Sequence, residues 1–544
     1  MAPAPQRPLR ASSWGALFAG PDNVRILENS ELAAWLRRTR WFGGKASTIE
    51  SCRIDDRVYL PAGELGAWLG IIRVKYRGRH SENYSALLGW CPNVDADAMP
   101  DATRVTAAVV DGVPGYIVDA LYLPTVRDAL FHYLVEGREF ALGDLVVRFL
   151  PGRSLDQEHD NLPARVLNAE QSNSAVVYGD RYLAKLYRKV EYGVNPDLEV
   201  TRYLSEQVGF AHIPAYRGAV EMLGPEGKTL VLAMFQDWVP NQGDAWSLTQ
   251  RSLADYYQGI QEKGLATEPA PEYPEHLDNF ESLPELYRDL IGAAYFGLVD
   301  KLAARTAGLH RAMASGKEGG AFTADPQEEG QLEAYSQATH ELTRSRFEML
   351  RSLLDILKEE IRLEAEELLR LEPEVDRIFS ALARDPAPGK QTRIHGDYHL
   401  GQVLFTGEDF VVLDFEGEPD KPHSERRRKH SPLKDVAGMV RSFHYAVHAA
   451  ILQHPELALH SESLNPWATA WYRIIATRFL DQYLEGMLGT ELLPADRAAT
   501  MRLLRAFILE KAVYELGYEL NNRPEWVAIP LQGIRHIVRS YAAS

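Results

Sequence analysis

The spacing of apolar positions changes along the chain, and each change marks an element. Over roughly the first 20 residues no period holds, and Met1 to Arg10 is rich in Pro, Ala and Arg, which predicts a disordered or loosely attached start. Helical spacing around Glu31 to Arg40 runs into Trp41-Phe42-Gly43-Gly44-Lys45, an aromatic-then-glycine turn. From Ile49 to about Val147 the pattern reads as short strands. Ile71 to Tyr76 and Ala107 to Val110 are β-branched runs bounded by Gly, Pro or Asp. A second β-rich stretch begins near Phe149. Ala175 to Tyr178 and Arg181 to Tyr187, joined by Gly179-Asp180, predict a tight hairpin. Asn195-Pro196-Asp197 opens a helix, with Pro where a first turn tolerates it. Thr229 to Phe235 reads as another strand, and Asn241 to Asp244 as a polar linker.

Beyond that linker the spacing is mostly helical. From about Glu333 to Ala383 apolar positions recur between Glu, Arg and Lys, as in core-packed helices with a charged outer face. One interruption stands out. Thr392-Arg393-Ile394 approaches a strand. Val403 to Phe405, the turn Thr406 to Asp409, and Phe410 to Asp414 then predict a hairpin. From Pro432 the helical pattern returns.

The 544 residues suit about three domains, with boundaries placed at 1–145, 146–240 and 241–544. Lys and Arg number 59 against 76 Asp and Glu, a formal charge of −17. That balance argues against a general nucleic-acid binder or an anionic-membrane binder. Two cysteines, Cys52 and Cys91, exclude a disulfide scaffold or a Cys-based zinc site, and two free thiols is the preferred reading. No apolar run reaches the roughly 18 residues of a membrane span, and the start has no signal-peptide core. The expected location is the cytoplasm.

The chemistry sits in the helical interruption: His395-Gly396-Asp397-Tyr398-His399-Leu400-Gly401-Gln402, continuing to Asp414-Phe415-Glu416. Phosphoryl transfer needs a carboxylate to orient a hydroxyl and take its proton, and oxygen ligands for Mg²⁺. Asp397 suits the first role, and Gln402 with Asp414 the second. A hairpin would bring loop and strand end together. The alternation of His395, Asp397 and His399 leaves a metal-dependent hydrolase as a rival from another class.

This segment resembles the catalytic loop and metal motif of the aminoglycoside-phosphotransferase-like branch of the protein-kinase fold. Within that branch it is most similar to the maltokinase family. Gln402 in place of Asn, Asp414-Phe415-Glu416 in place of Asp-Phe-Gly, and the run from Gly417-Glu418-Pro419 through Glu425-Arg426-Arg427-Arg428 to Arg441-Ser442-Phe443 carry the likeness. The first ~145 residues resemble the same family's N-terminal cap. A similar domain occurs fused behind trehalose synthase. The implied architecture is α+β, a protein-kinase-like two-lobe fold with an extra cap domain.

The resemblance implies more. A kinase needs a strand Lys held by a helix Glu, and Lys185 with Glu199 fits. In Glu170-Gln171-Ser172-Asn173-Ser174 there is no glycine-rich signature, yet the family implies that Ser172, Asn173 and Ser174 cover the nucleotide phosphates. Met234 to Trp238, with Met234 and Gln236, would meet adenine. The implied cofactors are ATP and Mg²⁺, and the implied acceptor is maltose, giving maltose 1-phosphate for glycogen, α-glucan or trehalose metabolism. A functional link to trehalose synthase and a maltosyltransferase is implied with it. Tyr514, Glu515, Tyr518, Glu519, Arg523 and Trp526 recur at near-helical spacing and form a candidate sugar site, with an aromatic-packing helix as the alternative. His395, Glu416 and Arg441 are further acceptor-side candidates, although packed support of the loop is preferred for His395. The basic run Glu425 to His430 is expected as a solvated face. Glucosamine and aminoglycosides are the rival acceptors. A cationic acceptor calls for a carboxylate-dominated pocket, a neutral disaccharide for aromatics with mixed polar groups. An inactive binding protein is disfavoured, since each catalytic position holds an acceptable residue.

Overall fold

The computed structural model describes the chain apart from residues 1–8, 20, 157–161, 168–171, 225–226, 274–276, 329, 383–388, 420, 455–456, 458–460 and 543–544. Glu170, Gln171 and the first eight residues of the expected loose start therefore lie outside the described residues. The chain forms two compact units: residues 1–207 with 214–240, and residues 208–213 with 241–544. The cap stretch and the β-rich stretch share the first unit.

In the first unit, one sheet contains β1 (Leu9–Ala11), β2 (Ile49–Leu60), β3 (Ala67–Tyr76), β4 (Glu82–Pro92), β5 (Arg104–Val110) and β6 (Val113–Asp119), in the order β1-β5-β6-β4-β3-β2. Leu9–Ala11 and Trp14–Ala19 form regular elements, where a loosely attached start was expected. Leu9–Ala11 pairs in parallel with β5, and the helix Trp14–Ala19 buries Trp14, Leu17 and Phe18. Trp14 Nε1 donates to the Gly66 carbonyl. Three apolar side chains at i, i+3 and i+4 are too short a run to show a period, yet a sheet face suffices to bury them. Cys52 and Cys91 are buried free thiols, each pushed by burial up to about 11, so both are poor nucleophiles.

The second sheet contains β7 (Glu139–Leu142), β8 (Leu145–Pro151), β9 (Ala164–Leu167), β10 (Ser174–Tyr178), β11 (Tyr182–Leu186), β13 (Tyr216–Leu223) and β14 (Thr229–Asp237); the short β12 (Lys189–Val190) pairs with β4. Its order is β7-β8-β13-β14-β11-β10-β9. The β10–β11 hairpin forms as expected. Gly179 and Asp180 have φ of +55° and +50°, the left-handed pair of a tight turn closed by Arg181 N donating to Tyr178 O, within a three-residue loop between the paired Tyr178 and Tyr182. Lys185 lies in the sheet interior, opposite Ala175 on β10 and Met234 on β14.

The second unit is helical with one embedded hairpin, β15 (Val403–Phe405) and β16 (Phe410–Val412). The helical stretch over 333–383 divides into Gln331–Leu353, Glu359–Arg370 and Glu372–Leu382. Asn241 to Asp244 is more than a linker. Gln242 N donates to Phe405 O, Phe405 N donates to Gly243 O, and Asp244 bridges Leu404. On the other side Val412 N donates to His212 O. Both hairpin edges thus receive backbone hydrogen bonds from chain outside the hairpin, which satisfies groups that two strands alone would leave open.

Candidate active site

The His395 to Gln402 loop is held by the helix Leu433–Gln453, here the anchor helix. Its Asp435 is 2% exposed and accepts from His395 N at 2.7 Å and Gly396 N at 2.9 Å. His310 Nε2 lies 3.1 Å from the same carboxylate. Burial alone would raise the Asp435 carboxyl; the His310 contact and the loop amide outweigh it and hold the group below the usual carboxylate range.

His395 is 1% exposed, and its contacts fix its tautomer. Nε2 lies 2.7 Å from the Leu413 carbonyl and must donate to it; Nδ1 accepts from Asp397 N at 3.3 Å. The ring ties the Asp397 loop to the residue before Asp414. With both nitrogens engaged it offers none to a metal, which removes the His-Asp-His ligand set of the hydrolase alternative. His395 is a support of the loop, as preferred, and is absent from the cavity described below.

The carboxylate of Asp397 accepts from Lys511 Nζ at 3.3 Å, and His399 Nε2 lies 3.9 Å away. Burial would lower the Lys511 ammonium, but Asp397, Glu515 and Glu418 outweigh it and hold it above its ordinary value. Lys511 belongs to the helix Arg497–Asn522 and was not singled out by the sequence. Gln402 Nε2 donates to Asp414 Oδ2 at 3.1 Å, so the hairpin brings the two expected metal ligands together. Asp414 has φ +65°, a left-handed conformation uncommon for a side-chain-bearing residue and concentrated at functional sites. Glu416 places a carboxylate oxygen within 4.8 Å of one from Asp414. Hard oxygen donors in this arrangement fit a magnesium ion, and Glu416 joins that set more directly than the acceptor side.

A cavity of about 370 Å³ opens at Asp397, lined among others by Thr339, Arg346, Glu418, Lys434, Glu510, Lys511 and Tyr514. Of the expected sugar cluster only Tyr514 lines it. Arg441 and Glu515 form a 2.7 Å ion pair with Arg441 buried. Glu519 is 1% exposed and accepts from Arg523 and the Tyr445 hydroxyl. Arg523 stacks over Tyr518 at 5.4 Å and over Trp526 at 4.7 Å. The near-helical spacing reflects these contacts, and the expected sugar platform at Trp526 lies outside the cavity. The basic run is likewise not a solvated face. Arg426 donates to the carbonyls of Lys421, Glu416 and Pro419, and Lys429 pairs with Asp325.

In the first unit Lys185 donates to Asp197 Oδ2 at 2.7 Å, and the Tyr187 hydroxyl donates to the same oxygen at 2.9 Å. Asp197, 1% exposed, is a partner the sequence reading did not name. Glu199 follows two residues later on the same helix, Pro196–Tyr203, whose N-cap Asn195 accepts from Leu198 N. Ser174 begins β10 and accepts from Arg188 Nε at 2.8 Å; Ser172 and Asn173 precede it. Met234 and Gln236 are buried within β14 rather than in the chain leaving it.

The sequence matches the phosphotransferase enzyme family over residues 276–417 and the maltokinase N-terminal cap domain over residues 35–122. The chain is thus similar to this phosphotransferase family in its helical unit and to maltokinases in its cap. A glucosamine kinase of Mycolicibacterium smegmatis is 24% identical to this chain over 424 residues, 75% of this chain and 90% of the relative. One from Streptacidiphilus jiangxiensis is 28% identical over 170 residues, 31% of this chain and 36% of that one. A solved glucosamine kinase (crystal form B) superimposes with TM-score 0.63 at 17% identity, covering 95% of this chain and 100% of the other. Another, in complex with glucosamine, ADP and inorganic phosphate, gives 0.59 at 18%, covering 95% and 99%. The kinase-like fold with an N-terminal cap, expected from the sequence, is the fold of this chain. Among the described residues no helix is long and apolar enough to cross a membrane.

Two histidines of the helical unit give the protein an acid sensitivity. Burial, reinforced by Lys434 and Lys421, pushes His430 from 6.5 to about 3, and burial with Arg441 pushes His448 to about 4. Both are neutral when folded, whereas the unfolded chain protonates them near 6.5. Their stabilisation is complete above that value and is lost as pH falls toward the folded values, because the unfolded state binds the extra protons. The urea midpoint is expected to drop between pH 7 and pH 5, and His448→Leu to flatten part of that slope. A midpoint constant over this interval would contradict the assignment.

Proposed function

We propose that the protein transfers the γ-phosphoryl group of ATP to the anomeric hydroxyl of maltose, giving maltose 1-phosphate and ADP. The Asp397 carboxylate takes the hydroxyl proton, the hydroxyl oxygen forms the new bond to phosphorus, and the bond to the β–γ bridging oxygen breaks, leaving with ADP. Lys511, donating to Asp397 at 3.3 Å, orients that carboxylate. Gln402, Asp414 and Glu416 would hold Mg²⁺, which when bound neutralises phosphate charge. Lys185, braced by Asp197, is the candidate phosphate-binding lysine, and Ser172, Asn173 and Ser174 are candidates to cover the phosphates.

The observation that carries the neutral-sugar reading is the charge balance of the cavity at Asp397. Its carboxylates are already matched: Glu510 by Lys434 at 3.1 Å, Glu418 by Lys421 at 2.9 Å, Asp397 by Lys511 at 3.3 Å. An ammonium group entering there would meet paired acids and their lysines, whereas sugar hydroxyls can both donate to the acids and accept from the lysines. The matched cap domain supports the same acceptor. The second reading, a glucosamine kinase, is favoured by the names of the relatives. A sugar 1-phosphate suits consumption by a glycosyl transfer, consistent with a link to a maltosyltransferase and to trehalose synthase.

The test is ATP consumption with maltose, trehalose, glucose, glucosamine and an aminoglycoside, followed by phosphorus NMR of the product. An anomeric phosphate coupled to H1 is expected with maltose. A 6-phosphate, or a preference for glucosamine, would retain the kinase and discard the maltose reading. Within the acceptor site, Tyr514→Ala is expected to raise the maltose KM about tenfold, the worth of roughly one stacked aromatic contact. Trp526→Ala is expected to leave it within about twofold; equal effects would place the sugar elsewhere.

A further inference from the structure

The cavity at Asp397 contains a cation that has no ion pair among the described residues. Lys421, Lys434 and Lys511 each face a carboxylate, and Arg426 is spent on three backbone carbonyls. Arg346, on the helix Gln331–Leu353, lines the same cavity without an ion pair among the described residues, and its Nε is buried with no hydrogen-bond partner. A buried donor left open costs stability, and the fold makes a second concession to the same side chain. Gly517 lies inside the helix Arg497–Asn522, where glycine is a poor residue. A Cβ there would fall 2.2 Å from Arg346 Cδ and 2.4 Å from its Nε. Glycine at 517 is what lets the Arg346 stem lie across that helix. Two independent costs, an unanswered guanidinium and a mid-helix glycine, maintain one side chain at the wall of the acceptor cavity.

We propose that Arg346 is the acceptor-selecting residue, donating through its planar guanidinium to a pair of adjacent hydroxyls on a neutral sugar and repelling amino sugars. The inference rests on the neutral-sugar reading above and adds the residue that enforces it. A guanidinium is always charged and presents donors in a fixed fork, so it suits two neighbouring oxygens and disfavours an ammonium close by. An acceptor bearing a carboxylate or phosphate would pair with it too, and the test separates that case.

The experiment compares wild type with Arg346→Met and Arg346→Gln, each first checked for an unchanged thermal midpoint, using maltose, glucosamine and glucose 6-phosphate as acceptors. If either variant fails to fold, the other carries the comparison. The expected result is a maltose KM raised about tenfold or more, an ATP KM within about twofold, and a maltose-to-glucosamine ratio of kcat/KM lowered at least tenfold. A wild type that prefers glucosamine sinks the neutral-sugar reading by itself. The role of Arg346 is overturned separately, if both variants leave the ratio and the KM of the preferred acceptor within twofold. A wild type that prefers glucose 6-phosphate, with that preference lost in the variants, overturns the neutral acceptor in favour of an anionic one.

Discussion

Asp397→Asn is expected to lower kcat by about a thousandfold, the middle of the range that general base catalysis supplies, with the ATP KM changed by less than about threefold. The substitution keeps size and hydrogen bonding but removes the group that receives the acceptor proton. It also removes the negative charge that Lys511 faces at 3.3 Å, so the lysine would turn toward Glu515 or Glu418. Steady-state kinetics with both substrates varied would check this. Turnover within about tenfold of wild type would remove Asp397 from the role of base.

Asp435→Asn should be nearly as damaging by a different route. One carboxylate accepts two loop amides and faces His310, all buried. An asparagine amide would turn an N–H₂ toward one of those donors, leaving buried groups unsatisfied. Breaking such a cluster costs about 3–5 kcal/mol. Denaturant unfolding should show that loss, and the protein that remains folded should turn over slowly, because Asp397 is displaced with the loop. A variant with unchanged unfolding midpoint and kcat would show that the loop is held from elsewhere.

Much of this site could be read from the chain because its parts lie close in sequence. Asp397, Gln402 and Asp414 fall on one loop and one hairpin, and the alternation of Val403 to Phe405 and Phe410 to Val412 predicts the strands that join them. The hairpin tip Gly179-Asp180 was equally legible, because its chemistry is local. What the sequence hid depends on contacts between distant residues. Lys511 reaches Asp397 across 114 positions, and nothing in its own neighbourhood marks it off from other helix lysines. Asp435 stood in plain view within the motif run, but its function appears only when the anchor helix packs under the loop. Asp197 was not named beside Glu199 because two acids in one helical turn cannot be ranked without knowing which faces the sheet. Of the aromatic and acidic residues from Tyr514 to Trp526, only Tyr514 lines the cavity, for the opposite reason. Spacing gathers them on one helix and its end, but charge pairing, not an acceptor, engages most of them.

The grip of Asp435 on two loop amides has a consequence for motion. Backbone N–H groups in loops ordinarily trade hydrogen with solvent through small local openings. Those of His395 and Gly396 are released only when the loop leaves the anchor helix. They should therefore exchange as slowly as amides deep in that helix, making the stretch beside the reacting atoms among the most rigid in the helical unit.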